Sequence, residues 1–186
     1  MAEPCRPAPV LLVVAAFSRH DSALAWAHTA LSDLFGPVGL MSAPLAFDQT
    51  RYYEPTMGPN LRKQFLAFET LTDAAELPQA KLRTNALEHH LSATGGYQEE
   101  RPLNLDPGIL NLGKFMLATT KDQAHRIYLR DGIFAEVTLR FDHGAFEPWP
   151  WTYADYRTRE VHRFLLQARD FYKRRLHEMR VGEGPA

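Results

Sequence analysis

The sequence predicts a single α+β domain built on a largely antiparallel sheet. Three observations carry that prediction. Val10 to Phe17 is a continuous apolar run, the pattern of a strand buried on both faces. Asp131-Gly132 sits between two strand-like segments. It signals a two-residue hairpin, because a type I′ turn needs positive φ at both central positions. Stripes of apolar residues at helical spacing fall between and after the strands. No linker or internal repeat divides the chain, so the domain is placed at 9–180, with loose tails at 1–8 and 181–186.

Size and charge narrow the function classes. The 186 residues are 45% apolar and 23% charged, enough for one substantial core. A net charge of -1 argues against a protein-wide grip on nucleic acid, although a local basic face is not excluded. The single cysteine, Cys5, excludes an internal disulfide and a cysteine-based zinc site. No apolar run approaches the roughly 20 residues that cross a bilayer. The segment LLVVAAF reads as a buried strand rather than a signal peptide. A cytoplasmic protein is expected.

After the first strand, Asp21 or Ser22 can cap a helix that runs to about Phe35. Leu24, Ala27, Leu31, Leu34 and Phe35 form its stripe, and Gly36-Pro37 ends it. Val38 to Phe47 reads as a strand broken or bulged near Pro44. Asp48 to Asn60 is a long aromatic and polar loop, of the kind that often carries function. Leu61 to Glu69 reads as a strand or short helix, and a second helix spans about Glu76 to Leu91. Pro102 to Leu105 is a short strand, Pro107-Gly108 a turn, and Ile109 to Thr119 is ambiguous between helix and strand. Gly144 to Asp155 is an aromatic loop, whose Trp149, Trp151 and Tyr153, with Tyr156, would clamp the last helix. That helix runs from about Tyr156 to Arg180, with a basic outer face. The first six elements match the split βαβ order of ferredoxin-like folds. The C-terminal hairpin and terminal helix are additions to it. Helices are expected mainly on one face of the sheet, with a three-layer α/β arrangement as the alternative.

The hairpin focuses the functional reading. Strict alternation points Ile133, Ala135, Val137, Leu139 and Phe141 one way, and Phe134, Glu136, Thr138 and Arg140 the other. A two-residue turn then pairs Arg130 with Ile133, Tyr128 with Ala135, Ile127 with Glu136, and His125 with Thr138. His125, Glu136, Thr138 and Arg140 share a face in this register, and Lys121 joins them if the strand extends that far. Arg126 falls on the apolar face, so it either snorkels, is buried and paired, or marks a register error of one residue.

These residues suggest a mixed-charge cleft. Lys121, Arg126 and Arg140 are candidate phosphate ligands, with Asn104 and Lys114 close in sequence. His125 and Glu136 are candidate acid/base groups, with Glu136 orienting the imidazole. Asp106 is either a turn former or a carboxylate at a strand end that serves as general base or metal ligand. Arg51, in the 48–60 loop, could meet an anion while Tyr52 or Tyr53 stacks on a ring. A divalent metal ion is an option, but no HExxH spacing preassembles a site. The leading expectation is a domain that binds, and could turn over, a small phosphorylated ligand or nucleotide. The alternative is a noncatalytic adaptor or RNA-contacting module using Arg169, Lys173 and Arg174 with the aromatic loop.

The segments FDQTRYYEPTMG, LNLDPGIL, LATTKDQAHRIYL, GIFAEVTLRF and FEPWPWTYADYR stand in this order. Together they resemble the bacterial and archaeal Domain of Unknown Function 4416 family, over about Pro9 to Leu176. The resemblance implies no mechanism. Members are sometimes labelled GTP-binding, but this sequence has neither a GxxxxGK[ST] phosphate loop nor an NKxD-like guanine reader.

Overall fold

A computed structural model describes residues 3–182, and the other tail residues lie outside the described part. Residues 3–8 have no regular secondary structure. At the other end the last helix includes residues 181 and 182, which the sequence reading placed in a tail; 183–186 lie outside the described residues.

Among the described residues nine strands form one sheet, and every pairing in it is antiparallel. The central strand is β1 (Leu11–Ser18), buried throughout. It lies between β4 (Arg62–Phe68) and β5 (Asn104–Leu110). The expected second strand is two short ones, β2 (Val38–Met41) and β3 (Leu45–Ala46), both paired to β4 and broken where Pro44 was expected to interrupt them. The far side continues through β6 (Lys114–Thr119) to β8 (Ile133–Asp142). The outer edge of β8 is shared by β7 (Ile127–Arg130) and β9 (Ala145–Pro148). The aromatic loop therefore contains a strand. The ambiguous 109–119 segment resolves as the end of β5, a turn, and β6.

The helices pack on both faces, not mainly on one. Helices α1 (Asp21–Phe35) and α3 (Leu77–Thr94) cover the side bearing Leu12, Val14 and Ala16. Helix α4 (Arg159–Gly182) covers the side bearing Leu11, Val13 and Ala15 through Val161, Phe164, Leu165, Ala168 and Tyr172. This explains the unbroken apolar run in β1: both of its faces are core. The 48–60 loop holds a single helical turn, α2 (Glu54–Met57).

Two local corrections move side chains that matter for function. Asp131 and Gly132 do take positive φ, 55° and 75°, so the turn forms as expected. A bulge at Leu129 then shifts the pairing: Tyr128 meets Phe134 and Ile127 meets Ala135. Arg126 therefore lands beside Glu136 rather than on the apolar face. A second bulge in β8 leaves Thr138 unpaired between Val137 and Leu139. One extra residue reverses the alternation. Ile133 and Ala135 join the α1/α3 core, while Leu139 joins the α4 core. Strict alternation along β8 does not hold.

The Asp106-Pro107-Gly108 segment is not a turn. It runs through the middle of β5, with Pro107 opposite Val14. Proline fits because β6 pairs with β5 only from Gly108 onward. On that side the neighbouring Leu105 backbone is met by side chains of α3: Glu88 accepts from its N–H, and Lys81 donates to its carbonyl. No strand there needs the N–H that proline lacks. Gly108 has a different reason. A Cβ would lie 2.7 Å from the Phe115 ring and 2.5 Å from the Met116 carbonyl oxygen.

Candidate functional site

The parting of β5 from β6 creates the most polar part of the interior. Lys81 and Glu88, seven residues apart on α3, replace the missing strand. Lys81 Nζ lies 2.8 Å from the Leu105 carbonyl and 3.2 Å from Asp106 Oδ1. Its side chain is 8% exposed, against 26% for Asp106. Arg101 donates to Glu88 and to Asn104 Oδ1.

Strand register places further groups on the same face. Lys63, Phe17 and Asn104 form one row across the sheet, and Phe65, Ala15 and Asp106 the next. Lys63 ends in a nearly buried ion pair with Asp155. Its ammonium also sits 4.3–5.0 Å from the ring centres of Phe17, Phe47 and Tyr156, within cation–π range. Asp155 and Tyr156 come from a short 3-10 turn, Ala154–Arg157, just before α4.

A second cluster lies at the hairpin. Arg126 Nε lies 2.9 Å from Glu136 Oε2, and both side chains are almost fully buried. The remaining guanidinium nitrogens donate to the Lys121 carbonyl and to the Tyr153 hydroxyl, 2.8 and 2.6 Å away. His125 Nε2 is 3.2 Å from the same Glu136 oxygen. Its ring stacks on Trp151, which stacks on Trp149, and the Arg140 guanidinium lies 5.1 Å from the Trp149 ring centre. Trp151 Nε1 and Thr152 Oγ1 donate to the Val137 and Thr138 carbonyls. These bonds satisfy the edge of β8 between β7 and β9. Of the expected clamp, Tyr156 alone enters the core, between Phe65 and Phe115, while Trp151 and Tyr153 stay exposed.

The electrostatics join the two clusters. Burial pushes Asp106 up, but Lys81 and then Lys63 outweigh it, and its pKa falls below the usual value. The Asn104 amide contributes in the same direction. It is close to Asp106 without meeting hydrogen-bond geometry, and its Nδ2 has no partner. Burial raises Glu88, with Lys81 and the Leu105 N–H opposing it. Burial also lifts three tyrosines. Tyr153 is pushed up to about 12, with Glu136 adding to the effect. Tyr53 and Tyr156 also rise, with Asp106 contributing to both. These hydroxyls therefore keep their protons at neutral pH and are available as donors.

The sequence-named residues do not all converge. His125, Arg126 and Glu136 meet directly. Asn104 and Asp106 meet beside Lys81. Lys121 donates from Nζ to the Tyr52 hydroxyl at 2.9 Å. Arg140 is held by Glu147 at the surface. Lys114 lies opposite Arg140 at the far end of β6, and Arg51 is exposed near Glu54. Lys114 and Arg51 are apart from the network, and Arg140 meets it through the Trp149 ring. A hollow of about 220 Å³ borders it on the Lys63–Asp155 flank, not at the hairpin. Another, of about 150 Å³, lies under the start of α3. Neither is lined by Asp106, Lys121, His125 or Glu136. No three His, Cys, Asp or Glu side chains among the described residues converge as a metal ion would need. No helix among them is long and apolar enough to cross a membrane. Several cations of α4 already have partners: Arg169 donates to the Leu112 carbonyl, Arg175 to the Glu69 carbonyl, and Lys173 to Asp170.

The sequence model of a domain of unknown function, DUF4416, matches residues 8–172. The chain belongs to the DUF4416 family. No curated protein and no solved structure matches it. In this DUF4416 domain, sequence reasoning missed Lys63, Lys81, Glu88, Arg101 and Asp155. Two of them leave a trace. Lys63 has the strand parity of buried Phe65 and Ala67, and Lys81 lies among the inner positions Leu77, Ala80 and Thr84 of α3. A lysine at a core position is uncommon unless paired.

The Asp106 ion pair makes a pH prediction. A depressed carboxylate pKa adds stability above the unfolded value, and that stability is lost as pH falls through the folded value. Asp106→Asn should therefore be less stable than wild type near neutral pH, and the gap should close below about pH 4. Urea midpoints across that range check this. A gap that stays constant would show that Asp106 is not ionised in the folded state.

Proposed function

We propose that this chain binds a small phosphorylated ligand over the polar network, between the 48–60 loop and the 149–157 loop. The observation that carries the reading is a pair of buried polar atoms without partners, Asn104 Nδ2 and Tyr156 Oη. Both flank Asp106, which feels Lys81 and Lys63. An unmet buried polar group costs about 1–3 kcal/mol, so such groups call for an explanation such as a ligand that completes them. The cations Lys63, Lys81, Arg101, Lys121 and Arg126 outnumber the carboxylates Asp106, Asp155, Glu88 and Glu136, which favours an anion. Lys121 is the most accessible of these cations, and its contact with Tyr52 is readily exchanged for one with phosphate. Asp106 is ionised and partly open, so it is placed to accept a proton from the ligand.

We also infer that the first six elements form a ferredoxin-like split βαβ unit. The support is the strand order β2-β4-β1-β5 with α1 and α3 on one face. The hairpin and α4 would then be additions that enclose the site.

Thermal shift measurements with inorganic phosphate, pyrophosphate and nucleoside 5′-phosphates test the binding. A saturable rise in Tm is expected, equivalent to about 2.7 kcal/mol at a hundred times Kd. The rise should shrink in Lys121→Ala, an exposed change that leaves the fold intact. No rise with any of these compounds, or an equal rise in the variant and with sulfate, would contradict the reading.

A further inference from the structure

We propose that the hollow under the start of α3 is a second binding site, which takes a small aliphatic amino acid in its zwitterionic form. It is separate from the phosphate reading. None of Lys63, Asp106 or Lys121 lines it, so the two readings stand or fall independently.

The hollow holds about 150 Å³. Its floor is apolar and belongs to the core beneath α1 and α3, through Leu12, Phe35, Ala80 and Ile109. Its polar lining comes from two segments. Glu76, just before α3, and Gln79 and Arg83 within it follow one another at steps of three and four residues, so they share a face of the helix. Thr70 and Thr72 come from the connection after β4, which is pinned by the paired backbone hydrogen bonds between Thr72 and Val10. Among the described residues, none of these five side chains has a hydrogen-bond or ion-pair partner.

The two charges decide the class of ligand. Glu76 and Arg83 are seven residues apart, about 10 Å along the helix axis. That is beyond the three- or four-residue spacing at which such side chains pair. Helical side chains lean towards the N-terminus, which brings Arg83 back over Ala80 towards Glu76. The guanidinium fork matches a carboxylate through two parallel hydrogen bonds, and the Glu76 carboxylate accepts from an ammonium. A ligand that carries one of each, and is neutral overall, meets both. A phosphate or a simple carboxylate would face the Glu76 charge, and a simple amine would face Arg83. A divalent cation would find one carboxylate beside a guanidinium. Gln79 and the two threonine hydroxyls can each donate or accept, so they serve either end of the ligand. The apolar floor selects the side chain. A cavity of about 150 Å³ takes a benzene-sized molecule, which suits the branched chains of valine and leucine.

Isothermal titration of the full chain with L-valine, isovalerate and isobutylamine tests the inference. The last two are valine without its ammonium and valine without its carboxylate. L-Valine should bind at least about tenfold more tightly than either, because each analogue leaves one charge of the site unmet. Arg83→Gln and Glu76→Gln should each weaken L-valine binding by about tenfold or more. Both side chains are exposed, so the Tm of each unliganded variant should stay within about 2 °C of wild type. Arg83→Gln should also leave any phosphate-induced rise in Tm unchanged, which separates a failure here from a failure of the phosphate reading. Isovalerate or isobutylamine binding as tightly as L-valine would overturn the zwitterion. No binding of L-valine or L-leucine at millimolar concentration, or unchanged L-valine binding in either variant, would overturn the site.

Discussion

Arg126→Met is expected to lower stability by about 3–5 kcal/mol, the usual effect of stripping one partner from a buried ion pair. Arg126 is nearly inaccessible and holds three separate parts of the chain: Glu136 on β8, the Lys121 carbonyl before β7, and the Tyr153 hydroxyl in the 149–157 loop. Its removal leaves the Glu136 carboxylate in a dry environment, with the His125 ring and the Thr138 hydroxyl as its remaining side-chain partners. Urea unfolding read by circular dichroism gives the loss directly. Adding Glu136→Leu to Arg126→Met should recover much of it, because the stranded charge is then gone. A loss below about 1 kcal/mol would mean that the guanidinium behaves as a surface group.

Lys63→Met should have a comparable effect, about 3 kcal/mol or more, for a related reason. The lysine ammonium pairs with Asp155 and sits among three aromatic rings. Methionine fills similar space, so the change isolates the charge from the packing. Asp155 is then left nearly buried at the start of the turn that leads into α4. The double variant Lys63→Met with Asp155→Leu should regain stability but weaken ligand binding, since Lys63 also holds Asp106 in its ionised form. If the double variant bound phosphate compounds as wild type does, Lys63 would be structural and have no part in the site.

Much of the fold is legible in the residues. The β1 apolar run, the Gly36 stop and the Asp131-Gly132 turn all act locally, through side-chain size and backbone freedom. What escaped the sequence was set by long-range partners. The bulges at Leu129 and Thr138 each depend on what lies across the strand, and each reverses the alternation. That is why Arg126 turned out to face Glu136. Pro107 looks like a turn former because its strand neighbour is absent, and the substitutes, Lys81 and Glu88, come from a helix about 20 residues earlier. His125 was grouped with Glu136 by a parity that the Leu129 bulge overturns; it meets Glu136 from the segment just before β7 instead. The pairing of Asn104 and Asp106 with Lys63 and Lys81 was not legible either, because it needs the β4-β1-β5 order that brings those strands together.

The most direct measurement is a crystal structure of the protein soaked with pyrophosphate. Ligand density is expected between the 48–60 loop and the 149–157 loop, with a phosphate oxygen within hydrogen-bonding distance of Lys121 Nζ. No density beside Lys121 at saturating pyrophosphate, or ligand bound only on the outer face of α4, would contradict the proposed function.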